Sequence, residues 1–141
     1  MRSADNAMTL KTAIPDKEIW QKGELAMKSL KKWENMTSYT ENLLRKIKFS
    51  VSTLVPNSDI ILHGSRVRNE ANEHSDWDFV ILVDSPVDKT TILNIKDCLY
   101  DIELESNEII SSIVRTKQEW TSPRYLSLPF RIAVEKEGVA L

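Results

Sequence analysis

The chain has 141 residues, 41% of them hydrophobic and 28% charged, which is enough apolar material for one packed domain and too little length for two. Nineteen Lys and Arg against 21 Asp and Glu leave a net charge of −2, and that near-balance argues against a dedicated duplex-DNA binder. The lone cysteine, Cys98, excludes an internal disulfide and any cysteine-built metal centre. It points to a reducing compartment. No apolar run approaches the roughly 20 residues that span a bilayer. MRSADNAMTLK lacks a signal-type stretch, so a cytoplasmic location is expected.

In chain order, residues 1–14 are small and polar without periodicity and read as a flexible arm. From Pro15 the pattern turns helical, with Ile19, Ala26, Leu30 and Trp33 on one face, giving a helical extension over 15–37. Ser38-x-x-Glu41 has the form of a capping box and opens a second helix, its stripe Tyr39, Leu43, Ile47, Val51 and Leu54. Asp59 to Leu62 and Trp77 to Val83 are short apolar runs that read as buried strands, joined by one or two helical turns from Ser65 to about Asn72. Ile92, Ile95, Leu99 and Ile102 mark a third helix over 88–105, and Glu108 to Val114 a third strand. Thr116-x-x-Glu119 opens a short helix that Pro123 stops, and Pro129 and Gly138 bracket a last one. Such alternation implies an α/β (α+β) domain over 38–141 with a small mixed sheet of three or four strands packed with helices.

The segment ILHGSRVRNEANEHSDWDFVILVD, from Ile61 to Asp84, concentrates the chemistry. A strand runs into Gly64-Ser65, where glycine permits close backbone approach and the start of a helix offers N–H donors to an anion. Ser65 adds a hydroxyl, and Arg66 and Arg68 add positive charge. Eleven positions after Ser65, Asp76-x-Asp78 opens the next strand, where residues i and i+2 share a face about 7 Å apart. Two carboxylates so placed repel unless a cation neutralises them, and hard oxygen ligands beside an anion site suit Mg²⁺ with a nucleoside triphosphate.

With its closing PFRIAVEKEGVAL, this pattern resembles the nucleotidyltransferase superfamily of DNA-polymerase-beta-like fold, and within it the minimal nucleotidyltransferase domains. The resemblance spans residues 38 to 141. It implies transfer of a nucleoside monophosphate from an NTP, most simply ATP, to an acceptor. Asp76 and Asp78 would be catalytic and hold Mg²⁺ (or Mn²⁺), and Gly64, Ser65 and Arg66 would bind the nucleotide. Active members carry a third carboxylate on a later strand, which here is EIISSIV, and its place falls at Ser111 or Ser112. Ser112-Ile113-Val114 fits the family's Asp-apolar-apolar order better, so Ser112 is the expected place, with Glu105 and Glu108 as nearby substitutes. Slow turnover of the isolated chain is expected. The alternative is a catalytically weak binding module, such as one component of a toxin–antitoxin pair with a helical partner encoded nearby. Homodimerisation and RNA contact stay open.

Other residues have plainer readings. His63 is expected to pack beside its strand, His74 to lie in a loop, and the lysines and arginines at 28, 31, 32, 45, 46 and 48 to be solvated. Trp33, Trp120 and Cys98 belong to apolar stripes, and Trp77 should point away from the two aspartates.

Overall fold

The computed structural model describes residues 28–29, 33, 36–84 and 86–141. Its elements, in chain order, are β1 (Lys28–Ser29), α1 (Ser38–Leu54), β2 (Asp59–His63), β3 (Trp77–Val83), α2 (Lys89–Ser106), β4 (Ile110–Thr116), α3 (Lys117–Trp120), α4 (Pro123–Leu126), α5 (Pro129–Glu137) and β5 (Val139–Ala140). The strands form one mixed sheet in the order β1-β5-β2-β3-β4. β2 runs antiparallel to both β3 and β5, whereas β3 and β4 are parallel and joined through α2. Three long strands carry the sheet. The two-residue strands β5 and β1 extend it beyond β2.

β3 explains the layering. Six of its seven residues are buried, and alternate side chains enter different cores. Trp77, Phe79, Ile81 and Val83 pack with Leu43, Leu44, Ile47 and Val51 of α1 and Ile95, Leu99 and Ile102 of α2. Val80 and Leu82 point the other way, against Ile61, Trp120 of α3 and Val134 of α5. Gly138 ends α5 where the chain presses on β2. A Cβ there would lie 2.7 Å from Ile61 Cγ2 and 2.5 Å from the Val134 carbonyl oxygen.

Local rules set the helix ends, with shifts from the sequence reading. α1 is capped by Thr37, whose side chain accepts from the Thr40 N–H at 3.1 Å, so the cap falls one residue before Ser38. The buried stripe is also displaced from the one the sequence suggests: Thr40 and Leu44 are buried, while Tyr39 and Leu54 are exposed. Asp88 caps α2, and Asn107, with φ of 61°, terminates it. The Thr116–Glu119 capping box forms as expected, and Pro123 begins another short helix, α4, as well as ending α3. At Lys28–Ser29 the backbone is a strand paired with β5, where the periodicity predicts helix. Trp33 is a buried core residue outside regular structure. The arm over 1–14 and the rest of the predicted extension lie outside the described residues.

β4 is an edge strand, and side chains cover its outer groups. Glu103 accepts from the Ile110 N–H, Lys96 donates to the Ser112 carbonyl, Arg115 donates to the Val114 carbonyl, and Glu119 accepts from the Thr116 N–H. These alternate residues are where an added strand would pair, so the edge is blunted.

Candidate active site

The second sheet face is covered only in part. Trp120 and Val134 lie over the middle of β3 and leave its N-terminal end open, and there the sequence places Asp76 and Asp78. Asp76 immediately precedes β3 and Asp78 is its second residue, so Trp77 between them points into the opposite core, as period-2 geometry requires. Across the antiparallel ladder Asp78 pairs with His63, and on the parallel side with Ser111. The Ser111 hydroxyl donates to Asp76 Oδ2 at 3.3 Å. Asp76, Asp78, His63 and Ser111 thus share one face.

Gly64 follows with φ of 87°, and a Cβ at that position would sit 2.5 Å from Asp78 Oδ2. Both facts require glycine: the backbone is left-handed, and it passes against the carboxylate. Beyond it the chain makes a tight turn held by bonds from the Val67 N–H to the Gly64 carbonyl and from the Arg68 and Glu70 N–H groups to the Ser65 carbonyl. The short helix expected here does not form, because Asn69 takes a positive φ of 63° and ends the turn. The anion-binding feature survives in another form. The backbone N–H groups of Ser65 and Arg66, and the Ser65 hydroxyl, take no acceptor among the described residues.

Electrostatics favour a cation beside these donors. Asp78 is half-buried and accepts no hydrogen bond or ion pair among the described residues. Burial holds its carboxyl above the usual range and the charge of Asp76 adds to this, while His63 and Arg68 oppose it. His63 stands edge-on to Phe130, ring centroids 5.4 Å apart, and burial holds its imidazole below the ordinary value. A paired, under-neutralised carboxylate set of this kind matches the donor chemistry of a hard divalent cation. Among the described residues no cluster of three or more His, Cys, Asp or Glu is assembled for a metal, so His63, His74 and Asp76 do not form one.

The two arginines make different contacts. Arg66 Nε and Nη2 donate to the Ser75 carbonyl at 3.2 and 2.7 Å, and the guanidinium lies 4.3 Å from the centre of the Trp77 ring. Its Nη2 is also 3.5 Å from Glu108 Oε1. Arg66 therefore pins the connection to β3 from the Trp77 side, which is the far face from the carboxylates. Arg68, which the sequence offers as only a second charge, is close enough to Asp78 and His63 to lower the pKa of both. It is bonded to Glu70 and Glu137 at 2.9 and 3.1 Å.

The later strand also differs from expectation. Ser112 pairs with Phe79 and faces α2, its hydroxyl 2.7 Å from Lys96 Nζ. Ser111, not Ser112, stands beside the aspartates, and register is the reason: a one-residue shift changes the face. Neither glutamate substitutes. Glu105 pairs with Lys46 at 2.7 Å, and Glu108 accepts from Trp77 Nε1 and the Tyr39 hydroxyl at 2.9 and 2.5 Å.

Comparison with known proteins agrees with this geometry. No curated protein matches the chain. The profile of the family described as the nucleotidyltransferase domain matches residues 44–137, about two thirds of the chain, and that span includes the Gly64 turn, both aspartates and Ser111. A Gly-Ser turn against Asp-x-Asp on the exposed end of a mixed sheet, within that match, places the chain in the nucleotidyltransferase domain family.

Proposed function

We propose that the cleft binds a nucleoside triphosphate, ATP in the simplest case, together with Mg²⁺, and transfers its nucleoside monophosphate to an acceptor hydroxyl. The observation that carries this reading is the half-buried Asp78 carboxylate, which has no donor among the described residues, against a turn whose Ser65 and Arg66 N–H groups have no acceptor among them. Mg²⁺, or Mn²⁺ in its place, held by Asp76 and Asp78, would neutralise the triphosphate and polarise the phosphoryl group that transfers. The Gly64-Ser65 turn binds phosphate oxygens through its amides and the Ser65 hydroxyl, and Arg68 supplies the cationic side chain on this face. The acceptor hydroxyl oxygen bonds to the α-phosphorus and releases its proton to water, the bond from the α-phosphorus to the α,β-bridging oxygen breaks, and pyrophosphate leaves in line.

A second reading has its own observation. Ser111 occupies the place beside Asp76 and Asp78 where a third carboxylate would stand, and a hydroxyl neither ligates a metal as an anion does nor accepts a proton at neutral pH. The chain would then bind nucleotide and turn over weakly, acting with a partner such as the helical half of a toxin–antitoxin pair. Pyrophosphate release from each NTP, with Mg²⁺, tests both readings. Ser111→Asp is expected to raise release tenfold or more over the wild type, and Ser112→Asp to leave it unchanged. Release from Asp78→Asn at the wild-type rate contradicts both.

A further inference from the structure

At the other end of the same strands lies a second cavity, of about 740 Å³. Its floor is apolar, from Val83, Val87, Ile92 and Val114, and its rim carries Arg115 and Arg124. It opens where the parallel strands β3 and β4 end and α2 begins. Val83 is five residues along β3 from Asp78, roughly 16 Å at the rise of an extended chain, so this is not the carboxylate cleft.

The rim carries two arginines against one glutamate. Arg115 donates through Nε to the Tyr125 hydroxyl at 2.8 Å and through Nη1 to the Val114 carbonyl at 2.8 Å, both neutral acceptors. Arg124 is exposed, and among the described residues neither arginine has a carboxylate partner. Lys96 lies near enough to Arg115 for the two charges to repel. Among the described lining residues the acidic one is Glu119, whose Oε1 is tied to the Thr116 N–H as part of the α3 cap. Two arginines that have no carboxylate partner among the described residues, above an apolar floor, fit an organic anion with a flat or apolar body.

We propose that this cavity is a binding site for a small organic anion, a carboxylate, sulfonate or phosphate attached to an apolar or aromatic body. The apolar part would lie against Val83, Val87, Ile92 and Val114, and the anionic group between Arg115 and Arg124. The site is independent of the nucleotide cleft.

The probe is 8-anilinonaphthalene-1-sulfonate, an aromatic sulfonate whose fluorescence rises and shifts to the blue on leaving water. Titrated into the full chain it should bind saturably with one site. Arg124→Glu, which alters an exposed side chain, should weaken binding at least tenfold, and Arg115→Gln, which keeps a donor for Tyr125, at least fivefold. Asp78→Asn should leave probe affinity unchanged, as should Leu104→Lys, at an apolar side chain that is 66% exposed on α2. Circular dichroism of each variant separates lost binding from lost fold. Equal affinity in wild type and both arginine variants overturns the proposal, as does probe binding that Leu104→Lys removes.

Discussion

The two faces of the sheet are built to different ends. On one, α1 and α2 lay seven buried aliphatic side chains over Trp77, Phe79, Ile81 and Val83, and its charged groups stay at the margin, as in the Tyr39–Glu108–Arg66 set. On the other, α3 and α5 cover Ile61, Val80 and Leu82, and the strand end beyond them bears two carboxylates with no aliphatic partner among the described residues. A single strand, β3, serves both, because alternate residues diverge. The comparison teaches that stability resides on the helical face, and that this lets the open face carry charge repulsion that a packed face would not tolerate.

The largest effect expected from that division is on stability. Leu44→Ala, at a fully buried site on α1, should cost about 2–5 kcal/mol in denaturant unfolding, whereas Asp78→Asn on the open face should stabilise the protein. If the two variants lose stability equally, the faces do not differ as described. Gly64→Ala comes next, at about 1–3 kcal/mol for the left-handed backbone, since its Cβ also meets Asp78. It should weaken nucleotide binding as well, a coupling that Leu44→Ala at moderate temperature should lack.

The smallest effect is in pH dependence, and two aspartates should show opposite signs. Asp78 is held above the ordinary carboxylate value of about 3.9, so it binds more protons folded than unfolded, and stability falls as pH rises from near that value through the raised one. Asp88 is held below the ordinary value by the Thr91 N–H it caps. Its contribution is complete above the ordinary value and disappears as pH falls through the lowered one. Melting temperatures between about pH 3 and pH 7 should therefore lose the declining limb in Asp78→Asn and part of the acid limb in Asp88→Asn, which keeps a capping oxygen. Parallel profiles for the two variants would count against both assignments.

Much of this was legible in residue order. Apolar runs located β2 and β3, the 3.6-residue stripes located α1 and α2, and the spacing of Gly64-Ser65 and Asp76-x-Asp78 anticipated that the two segments lie side by side, since each rests on a local period or on spacing along one strand. What escaped depends on register and on partners distant in sequence. Ser111 and Ser112 are indistinguishable until β4 is aligned with β3, and that alignment decides which serine meets Asp76. Arg66 and Arg68 are likewise two turn residues until Trp77 and Glu108 take the first. Asn69 does have a signal: it tolerates positive φ and so argues for a turn over a helix. The strand at Lys28–Ser29 had none, because two residues carry no period.

The proposed function requires Asp76 and Asp78 to act with the Gly64 turn as one cation-dependent nucleotide site. Calorimetric titration of ATP into wild type, with Mg²⁺ and with a chelator, tests it most directly, with the Asp76→Asn, Asp78→Asn double variant alongside. The account predicts saturable binding that requires Mg²⁺ and is absent from the double variant. Equal ATP affinity with and without Mg²⁺, or in the double variant, would contradict it.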